Sequence, residues 1–580
     1  MRRSASVLSI TLALLLTTLS TLSALTTETA LAENITDDSP KTFLLPRLDE
    51  KSSENSIAVI FDDSQSALGY ASGLGDKEIN QNPDGTQSRN VKIYCKSVND
   101  PVCAKTNTFK VYAILQPCKS VSEINCIDSV YAESQGKRIA GNFKETLPAT
   151  SPTDFSGDES VGLPSGGPPS IWQIPGVKNS GGSDLYTVIV STRGESSRVT
   201  RTSSPIFTFN EYTTAIYPAG LKNGSFSLVT AEGSGNDAVT VGGCAANSEN
   251  VCAFRESFIM DGTAFGISIR FSKVPANWFY GRLSKQIINL TANSNGKGVI
   301  LDVIGEPVKV PIVYGKSTWD KLSSDLQQIY SGSFPSIGNN YIESDKNKWK
   351  VTHIAASSDF PALKSWLSIV KDTAVAQTTQ WYFKASPIGV DPKCNSNQLQ
   401  VDGIVTSNAT GFVPGPPQFN SQTQALEYQV SAPHFTAAGN AFKGTYDLAI
   451  RVDQAKCIYG FKGNFPVKAT VSIISENGIE QIASENVGEK DGWLRLGAYN
   501  FSFSAPKLRV KLVQESPTEP LAQNGKQSPN DSSQKTEMNN GSKSKSYKIK
   551  CMKGKKSFVQ QGKNPTCPKG YKLISRTVIS

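Results

Sequence analysis

The chain has 580 residues, of which 38% are hydrophobic and 19% are charged, and it contains 46 glycines and 31 prolines. This composition excludes a chain that is disordered throughout, and it excludes a long helical rod. The net charge is +9, yet residues 541–580 alone contain ten lysines and Arg576 without any acidic residue. That segment therefore carries +11 and the rest of the chain −2, so the basic character belongs to the C-terminal tail.

The first 32 residues have the organisation of a secretory signal peptide. Arginines at positions 2 and 3 precede an apolar stretch over residues 7–25, and small residues stand at the positions that signal peptidase reads. We expect cleavage between Ala32 and Glu33. No later apolar run is long enough to span a membrane. The sequence therefore predicts a secreted, extracellular protein that has no transmembrane segment after cleavage.

Ten cysteines follow this leader, and six of them form three pairs with the spacing Cys-x7-Cys. In an oxidising compartment cysteines are disulfide-bonded by default, although the sequence alone leaves their connectivity open. Proximity along the chain suggests the pairs Cys95–Cys103, Cys118–Cys126, Cys244–Cys252, Cys394–Cys457 and Cys551–Cys567. Zinc sites favour closer cysteines with help from histidines, of which the chain has only two. We expect no metal and no cofactor.

Alternating apolar and polar residues predict β-strands along most of the chain. In residues 446–453 the apolar members recur at every second position, which predicts a half-buried strand, and residues 467–479 with Asn477-Gly478 predict a hairpin. Further strands are predicted at residues 56–61, 91–94, 109–114, 186–190, 265–270 and 299–303. Two amphipathic helices are predicted, one after Ser317 and one after Ser358.

These elements predict a mainly β fold with tandem antiparallel β-sandwich-like domains and a short helical segment. The predicted order is a signal peptide (1–32), a polar N-terminal segment (33–55), a β-domain with two Cys-x7-Cys loops (56–215), a β-domain with one such loop (216–345), a helical connector (346–393), a C-terminal β-sandwich (394–514), a disordered linker (515–546) and a small basic two-cysteine module (547–580). The sequence does not determine the oligomeric state.

The basic module is the first candidate binding site. A cationic module on a flexible tether suits an anionic surface, such as a cell-wall polymer or an acidic glycan. The candidate residues for this contact are Lys548, Lys550, Lys553, Lys555, Lys556, Lys569 and Lys572. A basic tail that keeps the protein in solution and has no fixed partner is the alternative. Nucleic acid is not an expected partner, because the chain is predicted to be exported and has no nucleic-acid-binding motif.

The aromatic segment around Trp278 is the second candidate site. Trp278 and Tyr280, with Arg282 beside them, would suit stacking against a sugar ring, whereas burial of alternate members in a core is the alternative. Enzymatic motifs of serine hydrolases and zinc peptidases are absent, and His353 and His434 are isolated general-base candidates. The sequence thus favours a binding or adhesion protein. The alternative is an extracellular hydrolase acting on polysaccharide, which needs only two suitably spaced carboxylates.

Three segments resemble parts of a family of secreted, β-rich actinobacterial proteins. Residues 550–556 followed by 564–571 look like the Lys-rich, two-cysteine tail at the C-terminus of those proteins, and residues 455–512 are similar to their recurring C-terminal β-domain. Residues 278–282 also have a counterpart there. The family is uncharacterised, so the resemblance implies an exported cell-surface protein and supplies no catalytic residue.

Overall fold

A computed structural model describes most of residues 71–514, with its longest gaps at 227–243 and 332–349, and parts of residues 547–578. The chain divides into two compact units, Met1–Ser516 and Pro517–Ser580, and this division falls at the start of the predicted linker. The predicted signal peptide with its cleavage site, the N-terminal segment, the strand at 56–61 and the linker at 515–546 lie outside the described residues.

Short strands dominate the described residues, which confirms the predicted mainly β fold. In chain order the strands are β1 (Gly73–Lys77), β2 (Asn80–Gln81), β3 (Gln87–Ser88), β4 (Val91–Tyr94), β5 (Thr108–Ile114), β6 (Cys126–Ser134), β7 (Lys137–Ala140), β8 (Asn142–Thr146), β9 (Ser170–Gln173), β10 (Leu185–Ser197), β11 (Ile206–Asn223), β12 (Cys244–Asn247), β13 (Val251–Arg255), β14 (Ala264–Phe271), β15 (Trp278–Arg282), β16 (Ser284–Ala292), β17 (Val299–Glu306), β18 (Val308–Ile312), β19 (Gly315–Ser317), β20 (Lys350–Thr352), β21 (Ala376–Gln380), β22 (Tyr382–Ala385), β23 (Gly403–Ser407), β24 (Gly411–Phe412), β25 (Gln418–Asn420), β26 (Ala425–Ser431), β27 (Gly444–Arg451), β28 (Val467–Ile474), β29 (Glu480–Ile482), β30 (Asn486–Lys490), β31 (Trp493–Phe501), β32 (Lys507–Gln514), β33 (Tyr547–Lys553), β34 (Lys556–Gly562) and β35 (Lys572–Val578). The α-helices are α1 (Ser324–Ser331), α2 (Phe360–Ile369) and α3 (Val452–Tyr459), and short 3-10 turns occur at Pro101–Cys103 and Glu159–Val161. None of the helices in these residues is long and apolar enough to cross a membrane.

A 15-stranded sheet forms the centre of the first unit, with its main path in the order β30-β31-β27-β23-β15-β22-β11-β10-β5-β1-β4. Among the described pairs of this sheet, only β15 and β23 run parallel. Its strands come from all three predicted β-regions and from the predicted helical connector, which contributes β22. The predicted boundary between residues 215 and 216 falls inside β11, which pairs antiparallel with β10 on both sides of that boundary.

Two smaller sheets cover this sheet. The five-stranded sheet, in the order β16-β17-β14-β6-β7, encloses the first core, and the six-stranded sheet of β24–β26, β28, β29 and β32 encloses the second. Successive strand residues point to opposite faces. Accordingly, Phe279 and Ile404 lie in the first core, whereas Trp278 and Val405 lie in the second. The middle of the 15-stranded sheet is therefore covered on both faces.

This layering corrects the predicted half-burial of residues 446–453. Tyr446 and Leu448 face the second core as expected, but Asp447 and Ala449, which the alternation placed towards solvent, are also buried. The strand ends at Arg451, after which the chain turns into α3. A strand that carries a polar residue on a covered face must satisfy that residue inside the protein.

The structure can be compared with the predicted hairpin and the two predicted helices. The strands of the predicted hairpin at 467–479 pair antiparallel as β28 and β29, and its turn lies outside the described residues. The second predicted helix is present as α2 and has Pro361 in its first turn, where the missing N–H costs nothing. The first predicted helix begins later than expected, because Ser317 belongs to β19, which pairs with β20. Helix α1 starts at Ser324 instead.

Four of the five predicted disulfide bonds are formed: Cys95–Cys103, Cys118–Cys126, Cys244–Cys252 and Cys394–Cys457. The first three close short loops, and the fourth joins residues 63 positions apart and reaches α3. The fifth pair, Cys551 with Cys567, stays a prediction because Cys567 lies outside the described residues. Disulfide bonds are compatible with an oxidising, extracellular environment.

Candidate functional site

The C-terminal unit contains a three-stranded antiparallel sheet with the order β34-β33-β35. Its register brings predicted lysines to one end of the sheet. Lys553, the last residue of β33, lies directly opposite Lys556, the first residue of β34, and Met552 lies opposite Lys572 at the start of β35. Lys572 is exposed. Three of the seven predicted lysines therefore lie at the same end of this sheet, and the register pairs two of them, Lys553 and Lys556, with each other.

Two other predicted lysines lie further along the central strand. Lys548 is opposite Gln561 and Thr577, and Lys550 is opposite Val559 and Ser575, so neither faces an acidic residue in the register. Lys555 and Lys569 lie outside the described residues. Because residues 541–580 contain no acidic residue, the positive charge of this sheet is not neutralised from within the segment.

Like charges directly opposite each other destabilise an antiparallel pair. Lys553 and Lys556 are such a pair in the register of β33 and β34, and Lys572 begins the strand on the other side of β33. An anion bound at this end offsets the repulsion, whereas a neutral ligand does not. The arrangement is chemically suited to bind a polyanion.

The aromatic candidate site lies in the interior. Trp278 is 2% exposed and Arg282 is fully buried. The Arg282 guanidinium donates hydrogen bonds to the carbonyl oxygens of Ser407, Ala409 and Thr410, and it lies 4.0 Å from the centre of the Phe412 ring. The prediction that Trp278 and Arg282 stack on a glycan is therefore wrong, because a layer of protein covers each face of β15.

Tyr280, the third residue of that candidate site, is half-buried, and its ring centre lies 5.8 Å from that of Phe412. It packs against the second core together with Trp278, since the two are separated by two positions in β15. A single half-buried ring beside a core residue does not form the dense aromatic face that the sequence suggested.

Of the two histidines, His434 belongs to a hydrogen-bonded pair. Its backbone N–H donates to Oδ1 of Asp372 at 2.9 Å, and its Nδ1 contacts the other carboxylate oxygen. The pair connects the segment after α2 to the loop before β27. His353 lies outside the described residues. Within the described part of the chain, His, Cys, Asp and Glu side chains form no group of three that could hold a metal ion.

A buried carboxylate between the layers was not anticipated from the sequence. Asp447 is 4% exposed and accepts hydrogen bonds from the hydroxyls of Tyr499 and Ser284, the latter at 3.0 Å. The Tyr499 side chain folds back over Gly497, where a Cβ would lie 2.5 Å from its hydroxyl oxygen. Burial raises the pKa of Asp447 to about 6, and the two hydroxyl donors partly oppose this rise.

This raised pKa gives a prediction with a definite sign. The folded protein binds the Asp447 proton more tightly than the unfolded chain does. The free energy of unfolding therefore falls as the pH rises from about 4 to about 6, and above pH 6 the ionised carboxylate lowers it by about 3 kcal/mol. We expect Asp447→Asn to stabilise the protein by about 1–3 kcal/mol at pH 7.5 and to lose this advantage near pH 4. Urea denaturation at both pH values measures the difference. The exposed Asp491→Asn is the control, and an equal pH dependence in both variants would contradict the prediction.

Comparisons of the chain with protein-family models, with curated proteins and with solved structures give no match. The resemblance to secreted actinobacterial proteins therefore stays a prediction. Charge, register and burial are the observations on which a functional argument rests.

Proposed function

We propose that this is a binding protein that acts outside the cell and that its C-terminal module attaches it to an anionic polymer, such as a cell-wall polymer or an acidic glycan. The observation that carries the proposal is the pairing of Lys553 with Lys556 in the register, with Lys572 at the same end of the three-stranded sheet. Residues 541–580 contain no acidic residue that could neutralise these lysines from within the segment. The disulfide bonds of the first unit suit a protein that works in an oxidising exterior.

Attachment by such a surface is electrostatic and multivalent. Each lysine near an anionic surface contributes about 1 kcal/mol, and the contribution falls as salt screens the charges. A repeating polymer presents many equivalent anions, so the module can release one and bind the next while the protein stays attached. The first unit then remains close to the surface without any contact of its own being required.

We expect the triple variant Lys553→Gln, Lys556→Gln, Lys572→Gln to bind an anionic wall polymer about a hundredfold more weakly than the native chain, because three contacts of about 1 kcal/mol are lost. Binding isotherms at several salt concentrations provide the measurement, and the salt dependence should become less steep. Analysis of the incubated polymer for fragments also tests the alternative prediction of a polysaccharide hydrolase.

The matched control removes the same charge from the first unit through Lys119→Gln, Lys273→Gln and Lys490→Gln, all at exposed positions. This control should retain most of the binding. Equal losses in the two triple variants would show that only net charge matters, and unchanged binding in the first would contradict the proposed function.

A further inference from the structure

The outer face of the five-stranded sheet carries a fixed polar cluster built from three strands. The Tyr131 hydroxyl on β6 donates to both carboxylate oxygens of Asp302 on β17, at 3.0 Å each, and the Ser268 hydroxyl on β14 donates to the same carboxylate. The Tyr131 side chain crosses β14 to reach Asp302. It can do so because the residue beneath it is Gly266, where a Cβ would lie 2.2 Å from the ring.

An arginine covers this tyrosine. The Arg138 guanidinium carbon on β7 lies 3.3 Å from the centre of the Tyr131 ring, which leaves Tyr131 only 1% exposed, whereas Arg138 itself is exposed. Glu133 is opposite Arg138 in the register, yet no carboxylate among the described residues lies within salt-bridge distance of its guanidinium. Stacking on the ring fixes the plane of the guanidinium and leaves its N–H groups available to a ligand.

The carboxylate of Asp302 likewise has no cationic partner within salt-bridge distance among the described residues. Asn289 on β16 lies directly opposite Asp302, and its side chain forms no hydrogen bond with the described part of the protein. The cluster therefore presents the Arg138 guanidinium, the Asp302 carboxylate and the Asn289 amide on one sheet face. Tyr131 contacts the guanidinium with its ring face and the carboxylate with its hydroxyl, so the two charges are separated by about the length of one tyrosine side chain.

We propose that this cluster binds an acidic saccharide, with the sugar carboxylate on Arg138 and neighbouring sugar hydroxyls on Asp302 and Asn289. A planar guanidinium matches a carboxylate through two parallel hydrogen bonds, and ionised carboxylates are strong acceptors for hydroxyl donors. Tyr131 and Ser268 already hold the Arg138 guanidinium and the Asp302 carboxylate in place, which lowers the entropic cost of binding. The inference rests on the proposed function and adds to it a second site, on the first unit, together with a uronic-acid class of ligand.

The positive charge of Arg138 also has a simpler explanation. Basic residues on an edge strand prevent that strand from pairing with another molecule, and β7 is an edge strand of the five-stranded sheet. Lys137 next to Arg138, also exposed on β7, fits that role equally well. Deterring strand pairing requires only charge at the edge. A saccharide site requires the guanidinium that stacks on Tyr131 and the polar groups beside it. Replacement of Arg138 therefore affects both roles, whereas replacement of Lys137 affects only the protection of the edge strand.

The experiment uses the full chain carrying the three glutamine substitutions in the C-terminal module, so that the tail contributes little. The probes are an oligosaccharide of uronic acids and the same oligosaccharide with its carboxyl groups reduced, and titration calorimetry measures their affinities. We expect the acidic probe to bind at least tenfold more tightly than the reduced probe. Arg138→Ala should remove the preference for the acidic probe, and Arg138→Lys should retain only part of that preference. Asn289→Ala should weaken the binding of the acidic probe several-fold.

Lys137→Ala is the matched control and should leave the affinity unchanged. Thermal unfolding of each variant verifies folding, and the exposure of Arg138 makes loss of the fold unexpected. Equal binding of the two probes, or an unchanged affinity in Arg138→Ala, overturns the inference. Such a result leaves the proposed function intact, because that function depends on the module lysines and is measured with the native chain and a wall polymer.

Discussion

Replacing Arg282 with alanine is expected to lower the free energy of unfolding by about 3–5 kcal/mol. The guanidinium is fully buried and donates to three backbone carbonyls in residues 407–410, at the turn that leaves β23. Alanine leaves these buried acceptors without their donors and also removes the contact with the Phe412 ring. Urea denaturation of the purified variant, monitored by tryptophan fluorescence, measures the loss.

Two further variants show which property of Arg282 is responsible. Arg282→Lys keeps the charge but has a single ammonium in place of the planar fork, so we expect it to recover less than half of the lost stability. Arg193→Ala removes an exposed arginine from β10 and should change the stability by no more than about 0.5 kcal/mol. A small loss in Arg282→Ala, similar to that of Arg193→Ala, would contradict the structural role.

The strands and the nearby cysteine pairs could be predicted because both are local properties of the chain. Strands such as β5, β14 and β17 follow from their own apolar residues, and three disulfide bonds join cysteines that a short loop separates. The layering could not be predicted in the same way. Period-two alternation shows which residues share a face, and it does not show whether a second sheet covers the opposite face.

This limit explains the error at the aromatic segment. Trp278 and Phe279 point to opposite faces of β15, and both faces are covered because the two smaller sheets pack on opposite sides of the 15-stranded sheet. The sequence contains the alternation but not the position of the strand within the sheet. The charge excess on which the proposed lysine site depends can be read from composition, whereas the pairing of Lys553 with Lys556 follows from the register.

The cluster around Asp302 was not found from the sequence, because Tyr131 and Asp302 are 171 positions apart in the chain. One signal was present in Gly266, a glycine in the interior of a strand, which often marks a close approach by another group. Gly497 beneath Tyr499 is a second example in this chain. In both places a glycine makes room for a tyrosine that donates its hydroxyl to an aspartate.

The second large effect is expected at the Cys394–Cys457 disulfide bond. It closes a loop of 63 positions, whereas Cys118–Cys126 closes a loop of 8. In the chain-entropy model the longer loop restricts the unfolded chain more, which gives about 4 kcal/mol for the long bond and about 2.5 kcal/mol for the short one. We expect the double variant Cys394→Ser, Cys457→Ser to lose the larger amount in urea denaturation under non-reducing conditions.

The double variant Cys118→Ser, Cys126→Ser is the matched control, because it also replaces one sulfur pair by two hydroxyls. The long bond has a second structural role, since Cys457 lies in α3, whose residue Tyr459 donates its hydroxyl to the carbonyl of Val510 in the six-stranded sheet. If both double variants lose the same stability, loop length does not control the effect, and native contacts around each bond must dominate. A larger loss in the long-loop variant is the result that the difference in loop length predicts.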